Sequence, residues 1–178
     1  MNDNNDTAKP ALLAKTVVTM AARQKCMIVT AESCTGGMVA AALTDIAGSS
    51  DALDRGLVTY SNEAKIALLG VKESTLEKYG AVSAETALEM VAGALENTPQ
   101  GGIAIAITGI AGPGGGSDEK PVGLVHFACQ RRNHKPREAR QIFTGNRADI
   151  RTQAACFALG MLEQALGDAD PDRSHIQG

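Results

Sequence analysis

Apolar residues alternate between two spacings along this chain, and the spacings lay out its elements. After Pro10, which suits a first helical turn, Leu13, Val17, Met20 and Ala21 recur at helical intervals and predict an amphipathic helix of about four turns. The short apolar run from Cys26 to Thr30 predicts a buried strand. Met38, Val39, Ala42, Leu43 and Ile46 then fall on one helical face, with Gly48 placed to stop the helix. Gly56–Tyr60 predicts a second strand, and Asn62 is placed to cap a short helix holding Lys65, Ile66 and Leu69 that closes at Gly70. Lys72–Tyr79 predicts another short helix. Ser83 is placed to cap a longer one, whose stripe is Ala87, Leu88, Val91, Ala94 and Leu95. Ile103–Thr108 is short and β-branched, the pattern of a central strand. Val122–Cys129 and Arg140–Thr144 predict two further strands around a basic turn, Gln130–Arg137, which reads as a solvated hairpin tip. The last helix begins near Arg147 and carries Ile150, Ala154, Phe157, Ala158, Met161 and Leu162 on one face.

Helical segments between the early strands imply parallel crossovers, and the basic hairpin implies an antiparallel pair. The economical solution is an α/β fold, a three-layer α/β/α sandwich around a mixed, mostly parallel sheet. The ordered part is expected to span residues 10–166 as one domain, between flexible tails at 1–9 and 167–178.

Composition narrows the function. Of 178 residues, 44% are hydrophobic and only 3% aromatic, so the core must be built from Ala, Val, Ile and Leu. A formal net charge of −3 gives no electrostatic reason to bind nucleic acid or an anionic membrane. The four cysteines and three histidines show no metal-ligand spacing, so no metal is expected. The polar, acidic start is unlike a signal peptide, and no apolar run is long enough to span a membrane, so a cytoplasmic chain is expected.

Three stretches carry candidate chemistry. Thr30-Ala31-Glu32-Ser33-Cys34-Thr35-Gly36-Gly37 puts a hydroxyl, a thiol and two glycines at a strand-to-helix turn. Such a turn exposes a side chain at a strand's carboxyl end and offers backbone N–H groups to a ligand. Ser33 can be a nucleophile there, with N–H groups near Thr35, Gly36 and Gly37 as oxyanion donors. In the alternative, Ser33 or Thr35 only caps the helix and the glycines only permit the turn. Cys34 is the intrinsically better nucleophile, although alternation along the turn should point it away from Ser33. Tyr60 and Lys65 flank a second such turn and could face the same pocket. Otherwise Tyr60 is a half-buried strand residue and Lys65 a solvated cation, slightly at odds with the helix dipole. A nine-residue glycine-rich loop, Gly109–Ser117, follows Thr108. It matches neither a dinucleotide fingerprint nor a P-loop, and is either a flexible connection or a place where a ligand approaches the backbone. Arg147 and Arg151 stand where the dipole disfavours cations, a conflict that a bound anion or a salt bridge to Asp149 would relieve.

Six blocks in order resemble the CinA C-terminal-domain family: Thr30–Gly37, Thr59–Lys65, Gly80–Ser83, Gly109–Gly115, Lys120–Gly123 and Gly145–Arg147. The likeness is to its stand-alone form, without the additional N-terminal molybdopterin-binding-like domain of longer members. The resemblance implies a nicotinamide-nucleotide amidase, which hydrolyses the carboxamide of nicotinamide mononucleotide (NMN) to nicotinate mononucleotide and ammonia in pyridine-nucleotide salvage. It implies Ser33, Lys65 and Tyr60 as catalytic residues and no cofactor. Thr35, Gly36, Gly37, Thr108, Gly109, Gly112 and Arg147 are the expected substrate contacts, with the phosphate against the glycine-rich loop or Arg147. Asn146 stands where many relatives carry an Asp. A homodimer is expected. The rival expectation is a non-catalytic nucleotide-binding or regulatory domain of the competence/damage-inducible type.

Overall fold

A computed structural model of the chain describes residues 8–168. Most of both expected tails therefore lies outside the described residues, but Ala8 and Lys9 already belong to the first helix and Gly167 ends the last. The elements run α1 (Ala8–Arg23), β1 (Met27–Glu32), α2 (Met38–Thr44), β2 (Leu53–Val58), α3 (Asn62–Leu69), α4 (Glu73–Tyr79), α5 (Ala84–Glu96), β3 (Gly101–Gly109), β4 (Leu124–Arg131), β5 (Arg137–Ile142) and α6 (Arg147–Gly167).

The five strands form one sheet in the order β2-β1-β3-β4-β5. β1 pairs in parallel with both β2 and β3, while β3/β4 and β4/β5 are antiparallel. Four of the five strands thus point the same way, and the sheet is mixed as expected.

β3 is buried on both faces, and its alternation sorts side chains by size. Ile103, Ile105 and Ile107 face α1, α2 and α6, and Ala104 and Ala106 face α5. The alanine face lets α5 sit close to the sheet, and Gly93 of α5 in turn meets the last carbonyl of α3. On the isoleucine face all three phenylalanines of the chain, Phe127, Phe143 and Phe157, pack against one another between β4 and α6. This cluster explains why the last strand ends two residues earlier than expected, having begun three residues earlier. β5 is an exposed edge ending at Ile142, and Phe143 leaves the ladder to enter the core.

The basic turn is less solvated than its sequence implies. Arg132 donates to the carbonyls of Gly101, Leu95 and Thr98 at 2.7, 2.8 and 2.7 Å. It thereby gives a second donor to the Leu95 and Thr98 carbonyls, which also accept from the N–H groups of Thr98 and Gly101, and ties the end of α5 to the start of β3.

From β1 the chain crosses by α2 to the edge strand β2, then returns by α3–α5 on the other face to β3. The winding reverses at β1, so a crevice opens at the carboxyl ends of β1 and β3. Ser33, Thr59 and Gly109 lie at the ends of β1, β2 and β3, which places all three candidate stretches there. Among the described residues no helix is long and apolar enough to cross a membrane.

Candidate active site

The end of β1 is built by a residue that the sequence reading passed over. Glu32 is fully buried. Its Oε2 accepts from the N–H groups of Gly37 (3.0 Å) and Val39 (3.1 Å), and its Oε1 from Ala40 N–H (2.9 Å) and the Thr30 hydroxyl (3.1 Å). The strand's own last side chain therefore caps the helix that follows it. Neither Ser33 nor Thr35 does so: Gly37 is the N-cap position, and no side chain caps from there. The reversal needs left-handed backbone at Gly36 (φ 60°) and Gly37 (φ 97°), which explains both glycines. A carboxylate five to eight residues before its partners, inside a strand, escapes the usual N-cap pattern. The available signal was a Glu closing an otherwise uncharged strand.

With the cap provided elsewhere, Ser33 is free for other contacts. Its N–H donates to Ile107 O (2.9 Å), fixing it to the end of β3. Its Oγ lies 3.0 Å from Lys65 Nζ. Lys65 is only 1% exposed, so the solvated-cation alternative does not hold. α3 delivers it: Ser61, not Asn62, is the N-cap and accepts from Ala64 N–H (3.1 Å), so the helix starts directly behind β2. The Nζ also donates to the carbonyl of Thr59 at 2.7 Å. Burial lowers the lysine's pKa from its usual value, because no carboxylate compensates the lost hydration.

Cys34 lines the same cavity as Ser33 and is also packed in the core cluster on the α1, α2 and α6 face. Burial pushes its thiol up to about 11, and the nearby Glu32 carboxylate adds to the effect. At neutral pH it is a thiol, not the reactive thiolate.

Tyr60 stands at the cavity mouth, 61% exposed. Its hydroxyl accepts from Arg147 (2.9 Å), and Arg147 also donates to Gly112 O (2.8 Å). Lys65 is thus oriented by the Thr59 carbonyl rather than by the Tyr60 phenol. Asn146 caps α6 in a reciprocal box with Asp149, which leaves Asp149 facing backbone rather than Arg147. Arg151 turns back to the carbonyls of Cys34 (3.1 Å) and Thr35 (2.9 Å). The two arginines therefore resolve their conflict with the dipole by reaching out of the helix.

The cavity holds about 280 Å³, with Ser33, Lys65, Tyr60 and Arg147 around it. Thr108, Gly109 and Gly112 also line it, and the Thr108 hydroxyl is committed to Ala81 O (2.7 Å). Thr35, Gly36 and Gly37 do not line it. Of the expected oxyanion donors, Gly36 N–H donates to Ser33 O and Gly37 N–H to Glu32. Among the described residues no three His, Cys, Asp or Glu side chains come together as a metal-binding group.

A nucleophile 3.0 Å from a buried, depressed lysine, in a cavity that Arg147 also lines, is equipped for acyl transfer from an anionic substrate. Comparison with known proteins agrees with this class of chemistry. The profile of the CinA C-terminal domain matches residues 11–166. The nicotinamide-nucleotide amidohydrolase PncC of Enterobacter agglomerans is 55% identical over 129 residues, covering 72% of this chain and 78% of that one. The protein of the same name from Escherichia coli K12 is 51% identical over 137 residues, covering 77% and 82%. The crystal structure of the competence/damage inducible protein CihA from Agrobacterium tumefaciens superposes with a TM-score of 0.86 at 49% identity, over 89% of this chain and 96% of that one.

Proposed function

The chain belongs to the CinA C-terminal domain family, and from that premise we propose that it hydrolyses the carboxamide of NMN to nicotinate mononucleotide and ammonia. The observation that carries the reading is the Ser33–Lys65 contact, buried and supported by the Thr59 carbonyl. The names of the relatives at 55% and 51% identity supply the substrate. In the cell this activity would serve pyridine-nucleotide salvage.

Ser33 Oγ attacks the amide carbon while neutral Lys65 takes its proton. The tetrahedral intermediate collapses as Lys65 returns that proton to the departing ammonia, which leaves an ester on Ser33. Water, deprotonated by the same lysine, then releases the acid. A free lysine titrates near ~10.4, so burial must do part of this work before substrate arrives. The substrate does more: its pyridinium is a cation, and beside Nζ it further disfavours the ammonium form. The phosphate is assigned to Arg147 and the 109–115 backbone, where Tyr60 and Gly112 O now occupy the guanidinium.

Two expectations follow. Arg147→Met should raise KM for NMN about 10–100-fold with kcat within about threefold, the pattern of lost uniform binding to a charged group. An unchanged KM would place the phosphate elsewhere. The direct test is ammonia and nicotinate mononucleotide release by the purified protein with chelator present. Cys34→Ala should keep that turnover within about threefold, because a thiol with a pKa of about 11 is not the nucleophile. Its abolition would transfer the role from Ser33 to Cys34. Binding of NMN without turnover by the parent would favour the regulatory-domain reading.

A further inference from the structure

Glu32 takes no part in the chemistry described above, yet it is a fully buried carboxylate in the peptide next to the nucleophile. A bare carboxylate in that position would be strongly unfavourable, and it is tolerated because four donors converge on it. Three of the four are backbone N–H groups at the start of α2. In many strand-to-helix sites such groups face the ligand. Here a protein side chain occupies them, so the oxyanion donors must come from elsewhere in the turn.

The turn leaves two donors. Ser33 N–H goes to Ile107 O, Gly36 N–H to Ser33 O, and Gly37 N–H to Glu32. The N–H groups of Cys34 and Thr35 donate to no protein acceptor among these contacts. Both peptide planes are nevertheless held. Cys34 N–H shares its plane with the Ser33 carbonyl, which Gly36 N–H fixes at 3.0 Å. Thr35 N–H shares its plane with the Cys34 carbonyl, which Arg151 fixes at 3.1 Å. In a planar trans peptide the N–H points away from the carbonyl, so fixing one aims the other. Glu32 closes this clamp at its far end, because it holds Gly37 and the first turn of α2 against β1.

We propose that Glu32 is a positioning residue: by occupying the helix donors and anchoring the turn, it makes the N–H group of Cys34, which lines the cavity where Thr35 does not, the oxyanion donor beside Ser33. This rests on the acyl-transfer reading of Ser33, and the test separates the two. The probe is a small alkyl fluorophosphonate. Ser33 Oγ bonds to phosphorus, fluoride leaves, the serine proton passes to Lys65, and the phosphoryl oxygen comes to rest where an amide oxyanion would form.

Glu32→Gln keeps the shape but turns an amide NH2 toward a backbone N–H, so the anchor is weakened without opening a cavity. Ser33 labelling should slow at least tenfold. In the NMN assay kcat should fall by a similar factor while KM stays within about threefold, since the ground-state amide gains less from this donor than the oxyanion does. The pH at which labelling is half-maximal should stay where it is, because Lys65 keeps its contacts. Thr30→Val, which removes only the hydroxyl bond to Oε1, should slow labelling in the same direction by a smaller factor. It also serves if Glu32→Gln does not fold.

Labelling at the parental rate in a folded Glu32→Gln protein, or in Thr30→Val should that protein not fold, overturns the proposal. So does a slowdown accompanied by a shifted pH midpoint, which would mean that Lys65 itself had moved. A parent that labels at Ser33 but leaves NMN intact would sink the NMN reading alone, and the labelling comparison would still decide the role of Glu32.

Discussion

Ser33→Ala and Lys65→Met are each expected to lower kcat by about a thousandfold or more, and the double variant to be little worse than either. The two groups act on one proton. Without the hydroxyl there is nothing for the lysine to deprotonate, and without the amine the hydroxyl stays protonated at neutral pH. Near-equal losses that fail to add are therefore the signature of this pair, and independent, multiplying losses would refute it. The pH dependence has a definite sign. Lys65 acts as a base only when neutral, so kcat/KM of the parent should rise with pH through the pKa of Lys65. That pKa lies below the ordinary 10.5 because the side chain is buried. Stability moves the same way. Between the lowered folded pKa and the unfolded value of 10.5 the unfolded chain binds more protons, so unfolding becomes harder as pH rises across that window. Below the folded pKa both states are protonated, and the burial penalty is constant. Lys65→Met removes the penalty and keeps the chain length. It should therefore lose the alkaline rise in stability seen in the parent, while unfolding no more easily than the parent at neutral pH. Thermal melts of both proteins across that pH range, beside the turnover assay, decide the point. A parent whose stability is flat across the window would mean that Lys65 is not buried as a neutral base.

What could be read in the sequence was what depends on neighbours a few residues apart. Ser83 caps its helix through an N–H group three residues on. β3 shows itself as an apolar run, and the three chemistry-bearing stretches stand out because each ends a strand. Contacts made across the fold had no such mark. Arg132 looked like part of a solvated tip because its acceptors lie more than thirty residues away, between the end of α5 and the start of β3. For Lys65 the residues alone left a pocket-facing and a solvated side chain both open, because nothing near it in sequence tells that α3 turns it onto Ser33.

Gly93→Ala should destabilise the protein by about 2–3 kcal/mol and lower its melting temperature by about 4–12 °C, although alanine is the better helix former. Propensity alone would give a gain of about 1 kcal/mol for Gly to Ala in a helix interior. Packing decides against it. A β-carbon on Gly93 would stand 1.7 Å from the carbonyl oxygen of Leu69 and 2.6 Å from its carbonyl carbon. That obstacle is backbone at the end of α3, so no side-chain rotation relieves it, and the two helices must separate. α3 also carries Lys65, one turn before Leu69. The same displacement should therefore lengthen the Lys65–Ser33 contact and lower kcat, in a variant altered far from the cavity. Differential scanning calorimetry and turnover measured on the folded protein at low temperature test both halves. A melting temperature at or above the parent's would show slack between α3 and α5. A normal kcat in a clearly destabilised protein would show that β1 and β2, rather than the packing of α3 on α5, hold the lysine against the serine.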